Sequence, residues 1–305
     1  MKFSIVIPTY NRDEDLKKCL DSVLDQTLLP SEIIIIDDGE LSPALLDYFV
    51  GQFKKLQIIL TYYKKDHEIE RRGLSESKNK ALELVTNNIF FIIDDDVILE
   101  PIFCESIARI WEEKKGSEKL IGVGGIIKNR RKRLSFEKYY YAFFGISSKF
   151  DWDVNPVGFQ IWDEEISKSA IGYYAHGGVC SYNLNLVKQL KFSTFSGGRT
   201  ALEDVDFCLR AKNSGYYFII EPRAELRHYP SSSSREGQFL MGFKESYNRR
   251  VIFRSVNKKP NPYLLAWFYW ANFGWILRQF LVGNFDKGLG LIKGAVISQK
   301  IRDIS

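Results

Sequence analysis

Cysteine is scarce in this 305-residue chain. Cys19, Cys104, Cys180 and Cys208 form no CxxC pair and no cluster with histidine. That spacing argues against a structural zinc site and a disulfide framework, and fits a reducing compartment. No GxGxxG follows the first apolar run, which argues against a Rossmann dehydrogenase, and no GxxxxGK(S/T) occurs, which excludes a P-loop enzyme. There is no internal repeat, and Ser231–Ser234 is the single low-complexity patch, read as a hinge. A signal peptide is not expected at the N-terminus: Phe3–Pro8 is short, and polar Thr9-Tyr10-Asn11-Arg12 follows. The net charge of +5 is too small to imply nucleic acid, which is not expected as a partner.

Hydrophobic residues make up 45% and charged residues 27%, proportions that exclude collagen, coiled coil and wholesale disorder. The charge is unevenly spread. From Leu226 onward there are 13 Lys and Arg against 4 Asp and Glu, whereas the chain up to Glu225 has 30 against 34. An acidic body with a basic tail suggests that the two parts face different things.

Along the first third, apolar runs alternate with helical spacing. Phe3–Pro8, Glu32–Ile36, Ile58–Tyr63 and Ile89–Ile93 read as strands; Asp13–Leu28, Leu41–Leu56 and Ser75–Val85 read as helices. Strands that are apolar throughout, alternating with amphipathic helices, predict a mostly parallel α/β sheet covered on both faces. Leu120–Ile127 and Tyr217–Ile220 extend the strand list, and Leu184–Leu190 and Leu202–Asn213 read as helices. Ser196-Gly197-Gly198 reads as a flexible loop.

In such folds ligands sit beyond the carboxyl ends of the strands. Those ends carry Thr9-Tyr10-Asn11-Arg12, Asp37-Asp38-Gly39 and Asp94-Asp95-Asp96. Continued strand geometry would send Asp94 and Asp96 to one side, where a hard divalent cation relieves their repulsion. A carboxylate at Asp37 or Asp38 suits a base N–H or ribose hydroxyls, against the alternative of a plain Asp-Gly turn. Lys78 reads either as a cation meeting a diphosphate or a base, or as a solvated helix lysine. Glu203-Asp204-Val205-Asp206 opens a helix, where the dipole favours carboxylates; one of them suits a general base. His228 stands alone after a strand-like run.

Taken in order, Ser4–Arg12, Asp37-Asp38-Gly39, Ser77-Lys78-Asn79-Lys80-Ala81, Asp94-Asp95-Asp96, Gly177-Gly178, Glu203–Asp206 and His228 resemble family 2 glycosyltransferases. The resemblance spans about Lys2 to Pro230. It implies a GT-A fold and inverting transfer from a nucleotide-diphospho-sugar with Mn²⁺ or Mg²⁺. By that resemblance Pro8, Tyr10 and Arg12 line the nucleotide pocket, Asp37 or Asp38 contacts the base, and Asp94 approaches the ribose. Asp95 and Lys78 complete the donor site; Asp96, with His228, binds the metal. Asp204, in the pair with Glu203, is the implied catalytic base, and Gly177-Gly178 mark the acceptor region.

The expected organisation is a catalytic domain over 1–230, with a nucleotide-sugar half over 1–127 and an acceptor half over 128–230. A basic helical extension over 231–305 follows. Within it, Tyr263–Gly283 is nearly all apolar and aromatic but broken by Asn272, Arg278 and Gln279. An interfacial helix is expected there, flanked by lipid-facing Arg249, Arg250, Arg254, Lys258, Lys259, Lys287 and Lys293. A helix packed on the catalytic domain is the alternative. The run Lys128, Arg130, Arg131, Lys132, Arg133 is read as a solvated loop or as reaching the same surface. These features predict a peripheral enzyme at the cytoplasmic face of a membrane with a lipid-linked or glycan acceptor. The rivals are a haloacid-dehalogenase-like phosphatase and a non-catalytic nucleotide-sugar-binding module.

Overall fold

The computed structural model describes residues 1–147, 152–162, 166–194, 201–231 and 236–299. The Ser196-Gly197-Gly198 loop and all of the Ser231–Ser234 patch except Ser231 lie outside the described residues.

The first half builds β1 (Ser4–Thr9), α1 (Asp13–Leu24), β2 (Glu32–Asp37), α2 (Pro43–Lys55), β3 (Ile59–Lys64), α3 (Leu74–Leu84) and β4 (Ile89–Ile93). Then come β5 (Val97–Leu99), α4 (Phe103–Glu113), β6 (Leu120–Ile127) and α5 (Ser135–Phe143). The second half holds β7 (Asp153–Val154), β8 (Gln160–Ile161), β9 (Ala170–Gly172), β10 (Val179–Asn183), α6 (Leu184–Leu190), α7 (Glu203–Asn213) and β11 (Tyr217–His228). Three helices end the described chain: α8 (Gln238–Val256), α9 (Pro262–Leu281) and α10 (Phe285–Ser298).

One nine-stranded sheet runs β3-β2-β1-β4-β10-β6-β11-β5, with β9 also on β11. The expected parallel sheet is realised from β3 to β4. Beyond it the sheet is mixed, because β10 inserts antiparallel between β4 and β6. Side chains alternate across the strands and so divide between two cores. Ile5, Ile7, Ile33 and Ile35 pack with α1, α2 and α4. Val6, Ile34 and Ile36 face the opposite layer, with α3, α6 and α7. Every residue of β1, β2 and β6 is buried, which is why they read as unbroken apolar runs. The edge strand β3 departs from that reading: paired only with β2, it leaves Ile59 and Tyr62 exposed.

The tail corrects an expectation. Helix α9 packs against the protein along one face, with Phe268, Ala271 and Gln279 buried. A third core joins Tyr141 and Phe144 to Phe253 of α8 and Phe268. Bonds to the end of α5 fix α9 there: the Trp267 Nε1–H donates to the Gly145 carbonyl at 2.7 Å and the Trp270 Nε1–H to the Phe143 carbonyl at 2.9 Å. Arg249 and Arg250, expected to face lipid, are buried. Arg249 pairs with Glu245 at 2.8 Å and bonds the Gly158 carbonyl. Lys287 pairs with the same Glu245 at 2.9 Å, and Arg278 turns inward to Glu137 at 3.1 Å. A guanidinium in the protein needs partners for its fixed fork of donors, and Glu245 and Glu137 supply them.

Helix α10 shows two faces. Gly290 and Gly294 meet α8 so closely that a Cβ at either would strike the carbonyl oxygens of Phe239 or Phe243. On the other face Phe285, Leu289, Ile292 and Val296, spaced by four, three and four residues, are exposed. Among the described residues, no helix is long and apolar enough to cross a membrane.

Candidate active site

The acids after β4 do not stay in strand geometry. The chain turns at Asp95-Asp96 to enter β5, and three successive carboxylates go three ways. Asp94 lies over Gly178, whose missing Cβ leaves room for the carboxylate. Asp95 turns inward, accepting from Arg12 Nη1 at 2.7 Å and from Thr9 Oγ1 at 2.8 Å. Asp96 accepts the Ser231 N–H at 3.0 Å and stands 3.0 Å from His228 Nε2. The expectation that Asp94 and Asp96 share a side therefore fails, because the turn rotates each successive Cβ.

Burial pushes the Asp95 carboxyl up to about 6, with Arg12 pulling the other way. For Asp96 burial also acts upward, but His228, the Ser231 N–H and Arg12 outweigh it and leave the group lowered. Asp96 is thus held as a carboxylate beside an imidazole. That donor set, one hard oxygen and one nitrogen, suits Mn²⁺ or Mg²⁺ provided that diphosphate and water complete the shell. Among the described residues no three acidic, histidine or cysteine side chains form a group that could hold a metal ion.

The other expected donor-side residues separate into braces and lip. Pro8 is buried within β1. Asp37 is buried and occupied by its own turn, accepting from the Gly39 and Leu41 N–H groups and from Tyr62 Oη at 2.7 Å. Asp38 is half-buried, paired with Lys65 at 2.7 Å and accepting the Gly73 N–H at 2.9 Å. Tyr10 is exposed at the lip, where Arg72 donates to its hydroxyl at 3.2 Å. Arg12 is taken up by Asp95 and, at 3.6 Å, by Asp96. Of the two Asp-Gly carboxylates, then, Asp38 is the more open to solvent.

A cavity of about 160 Å³ collects much of the remaining chemistry, lined by Lys78, Asp94, Arg130, His176, Asp204 and His228 among others. Lys78 is no solvated helix lysine. It is buried, 3.2 Å from Glu203 Oε1, and remains protonated because Glu203, Asp94 and Asp204 together outweigh the cost of burial. Burial pushes the Glu203 carboxyl up, against the pull of Lys78. A Cβ at Gly177 would meet Lys78 Nζ at 2.9 Å and Asp204 Cβ at 3.1 Å, so the glycine pair lets lysine and acid close over it. Asp204 accepts from Tyr174 Oη at 2.7 Å and from the Val205 N–H at 2.8 Å. Leu202, just before this pair, takes a left-handed backbone (φ 70°), a strained conformation for a branched side chain.

Three cavity or contact residues were not singled out from the sequence for this site: Arg130, Tyr174 and His176. Their signal was adjacency, since Tyr174-Ala175-His176 runs directly into Gly177-Gly178. The sequence alone puts Arg130 in a basic run that reads as a solvated loop or as reaching the membrane surface. Instead it lines the cavity, donates to His176 Nε2 at 2.8 Å and lies 4.3 Å over the Trp162 ring, while Arg131 pairs with Glu137.

A mixed sheet with a carboxylate–imidazole pair and an acid-lined cavity at its strand ends agrees with the GT-A glycosyltransferase class that the motifs resemble. The fold matches the mannosyltransferase PcManGT from Pyrobaculum calidifontis, solved with GDP-Man and Mn²⁺. That match has a TM-score of 0.59 and 16% identity, over 98% of this chain and 81% of that one. The model of glycosyl transferase family 2 matches residues 4–159, and the chain belongs to that family. It is similar to the glucosyl-dolichyl phosphate glucuronosyltransferase of Haloferax volcanii, 25% identical over 87% of this chain and 82% of that protein. It is also similar to the poly(ribitol-phosphate) beta-N-acetylglucosaminyltransferase TarP of Staphylococcus aureus, 25% identical over 83% of this chain and 73% of that protein. The protein is therefore an enzyme, a glycosyltransferase.

Proposed function

We propose that the enzyme transfers a sugar, with inversion, from a nucleotide-diphospho-sugar to a hydroxyl of a phosphate-bearing acceptor, lipid-linked or glycan. The observation that carries this reading is that Asp204 and His228 line one cavity, with Asp96 beside His228. Asp204, half-buried and bonded through both oxygens, takes the acceptor proton as the acceptor oxygen attacks the anomeric carbon. The bond from that carbon to the diphosphate breaks, and its electron pair leaves with the nucleoside diphosphate. Asp96 and His228 would hold a divalent cation, which supplies Lewis-acid charge to the leaving group. Lys78 keeps the positive charge among the acids, and Asp38 and Tyr10 are the open residues on the nucleotide side. The names of the two relatives support the acceptor class, since both act on phosphate-bearing acceptors.

Residues 1–230 form the transferase in this reading, and the helices after them dock it on a bilayer with anionic headgroups. The outward stripe of α10 and the exposed Tyr269, Trp270 and Phe273 of α9 provide the apolar part. Exposed Lys258, Lys259 and Lys293 provide the attraction. Residues 236–299 hold nine Lys and Arg against three Asp and Glu, so the sign matches an anionic surface. In this reading the enzyme works peripherally, at the cytoplasmic face of the membrane.

The test is turnover. The protein is incubated with UDP-, GDP- and dTDP-sugars and Mn²⁺, with glucosyl-dolichyl phosphate or poly(ribitol phosphate) as acceptor. Nucleoside diphosphate release should stop with EDTA and return with Mn²⁺. Proton NMR of the product should show the anomeric configuration opposite to that of the donor. Turnover indifferent to EDTA removes the metal from the mechanism, and a retained configuration removes the single displacement.

A further inference from the structure

Between Arg130 and Asp204 runs an unbroken path of hydrogen bonds. Arg130 Nη1 lies 2.8 Å from His176 Nε2, His176 Nδ1 lies 3.2 Å from Tyr174 Oη, and Tyr174 Oη lies 2.7 Å from Asp204 Oδ2. The chemistry of the two ends decides the direction of every bond. A guanidinium only donates, so His176 Nε2 must accept. The imidazole is then neutral, with its single proton on Nδ1, which donates to the tyrosine oxygen. A carboxylate only accepts, so the phenol proton points to Asp204.

The surroundings hold the interior members in those states. Burial, with Arg130 adding to it, keeps the His176 imidazole well below its ordinary value. Burial, with Asp204 adding to it, keeps the Tyr174 phenol well above its own. Packing holds them in place: the Tyr174 and His176 rings meet edge-on at 5.3 Å, and Trp162 and Trp152 close on His176 at 5.0 and 5.6 Å. Arg130 is itself laid over Trp162. Asp204 has a neighbour competing for its charge, since Lys78 sits beneath Gly177 within its field. Glu203 engages that lysine, and Tyr174 holds Asp204.

We propose that Tyr174 is the positioning residue of the transfer reaction. Its O–H, fixed in direction by His176 and Arg130, holds Asp204 Oδ2 so that the carboxylate faces the acceptor instead of turning to Lys78. This rests on the reading of Asp204 as the base. It assigns a one-way relay whose outermost member, Arg130, lines the same cavity.

The protein has three histidines, so ¹⁵N-histidine labelling gives three ring systems, and His176→Asn identifies the one in question. The parent protein should show His176 neutral, protonated at Nδ1 and bare at Nε2, between about pH 5.5 and 8. Tyr174→Phe keeps the ring and removes only the hydroxyl. It should lower kcat about 10- to 100-fold, the worth of one hydrogen bond to a charged group, with the donor KM within about twofold. A packing role alone would not produce that split. An Nε2-protonated His176, or one that titrates near its ordinary value, overturns the relay. A Tyr174→Phe enzyme with kcat within about twofold of the parent overturns the positioning role. If Tyr174→Phe does not fold, Arg130→Met must release a mixture of His176 tautomers for the relay to stand. Absence of turnover in the parent with every donor instead defeats the proposed function, and the tautomer still judges the relay.

Discussion

The cavity and the tail both contain buried charge, and they treat it differently. Around the cavity the charges are matched locally and line a cavity: Lys78 sits among Glu203, Asp94 and Asp204, and Asp96 stands beside His228. In the tail the buried charges are closed off. Buried Arg249 and half-buried Lys287 share Glu245, half-buried Arg278 takes Glu137, and Lys258, Lys259 and Lys293 are exposed. A count of charge along the chain sees nine cations from 236 to 299 and treats them alike. The fold divides them by depth, and only those outside can attract an anionic surface over a Debye length. The same division operates among the strand-end acids. Asp37 and Asp95 are held by turn amides, hydroxyls and Arg12, whereas Asp96 stands beside His228 and Asp204 lines the cavity.

The sharpest test of this division is Asp204→Asn, which preserves size and removes basicity. The kcat should fall by about 10²–10⁴ while donor affinity barely changes, as measured by steady-state kinetics and donor titration. If Glu203→Gln is dead and Asp204→Asn is active, the active and structural acids have been exchanged.

Next in size is Lys78→Met. Removing one member of a buried pair leaves Glu203 uncompensated, which should cost about 3–5 kcal/mol in denaturant unfolding. The pH dependence has a definite sign. Without Lys78 the folded-state pKa of Glu203 rises further above its unfolded value. The folded variant then favours a proton that the unfolded chain has released, so the deficit grows as pH rises and shrinks as pH falls toward the ordinary carboxyl range. A deficit independent of pH would mean that Glu203 is not the group left behind.

The smallest expected effect belongs to the tail. Replacing Lys258, Lys259 and Lys293 singly with Glu should weaken co-sedimentation with phosphatidylserine vesicles by about 1 kcal/mol or more each, and less at high salt. Arg249→Met, which alters a buried cation, should act on stability instead. Equal loss of vesicle binding from Arg249→Met and from the surface lysines would erase the distinction between inner and outer charge. Deleting everything after Lys259 would not be a clean test, because it uncovers Phe253 and Phe144, which pack with Phe268.

Much of the chain through β4 was legible because β1, β2 and β4 are buried on both faces. β1, β2 and β4 read as apolar runs, with acids at the ends of β2 and β4, and α1 to α3 follow from helical spacing within a few residues of their observed limits. The rest of the sheet was less so. β10 is a short segment, Val-Cys-Ser-Tyr-Asn, that becomes a central strand only because β4 and β6 flank it. β5 is three residues long and exists through its pairing with β11. Arg130 is one cation of a basic run until the end of β6 brings it to His176.

What the amino-acid sequence determined by itself is therefore local. Apolar runs set the strands, carboxylates were delivered to their ends, and the ordered motifs identified the family. Which carboxylate is a brace and which faces the cavity was decided by the tertiary structure alone. So was which arginine is buried in the tail and which reaches histidine. The physical reason is that burial and hydrogen-bond partners set the state of a charged group, and both come from residues distant in the chain. Arg12 lies 83 residues from Asp95, and Ser231 lies 135 residues from Asp96.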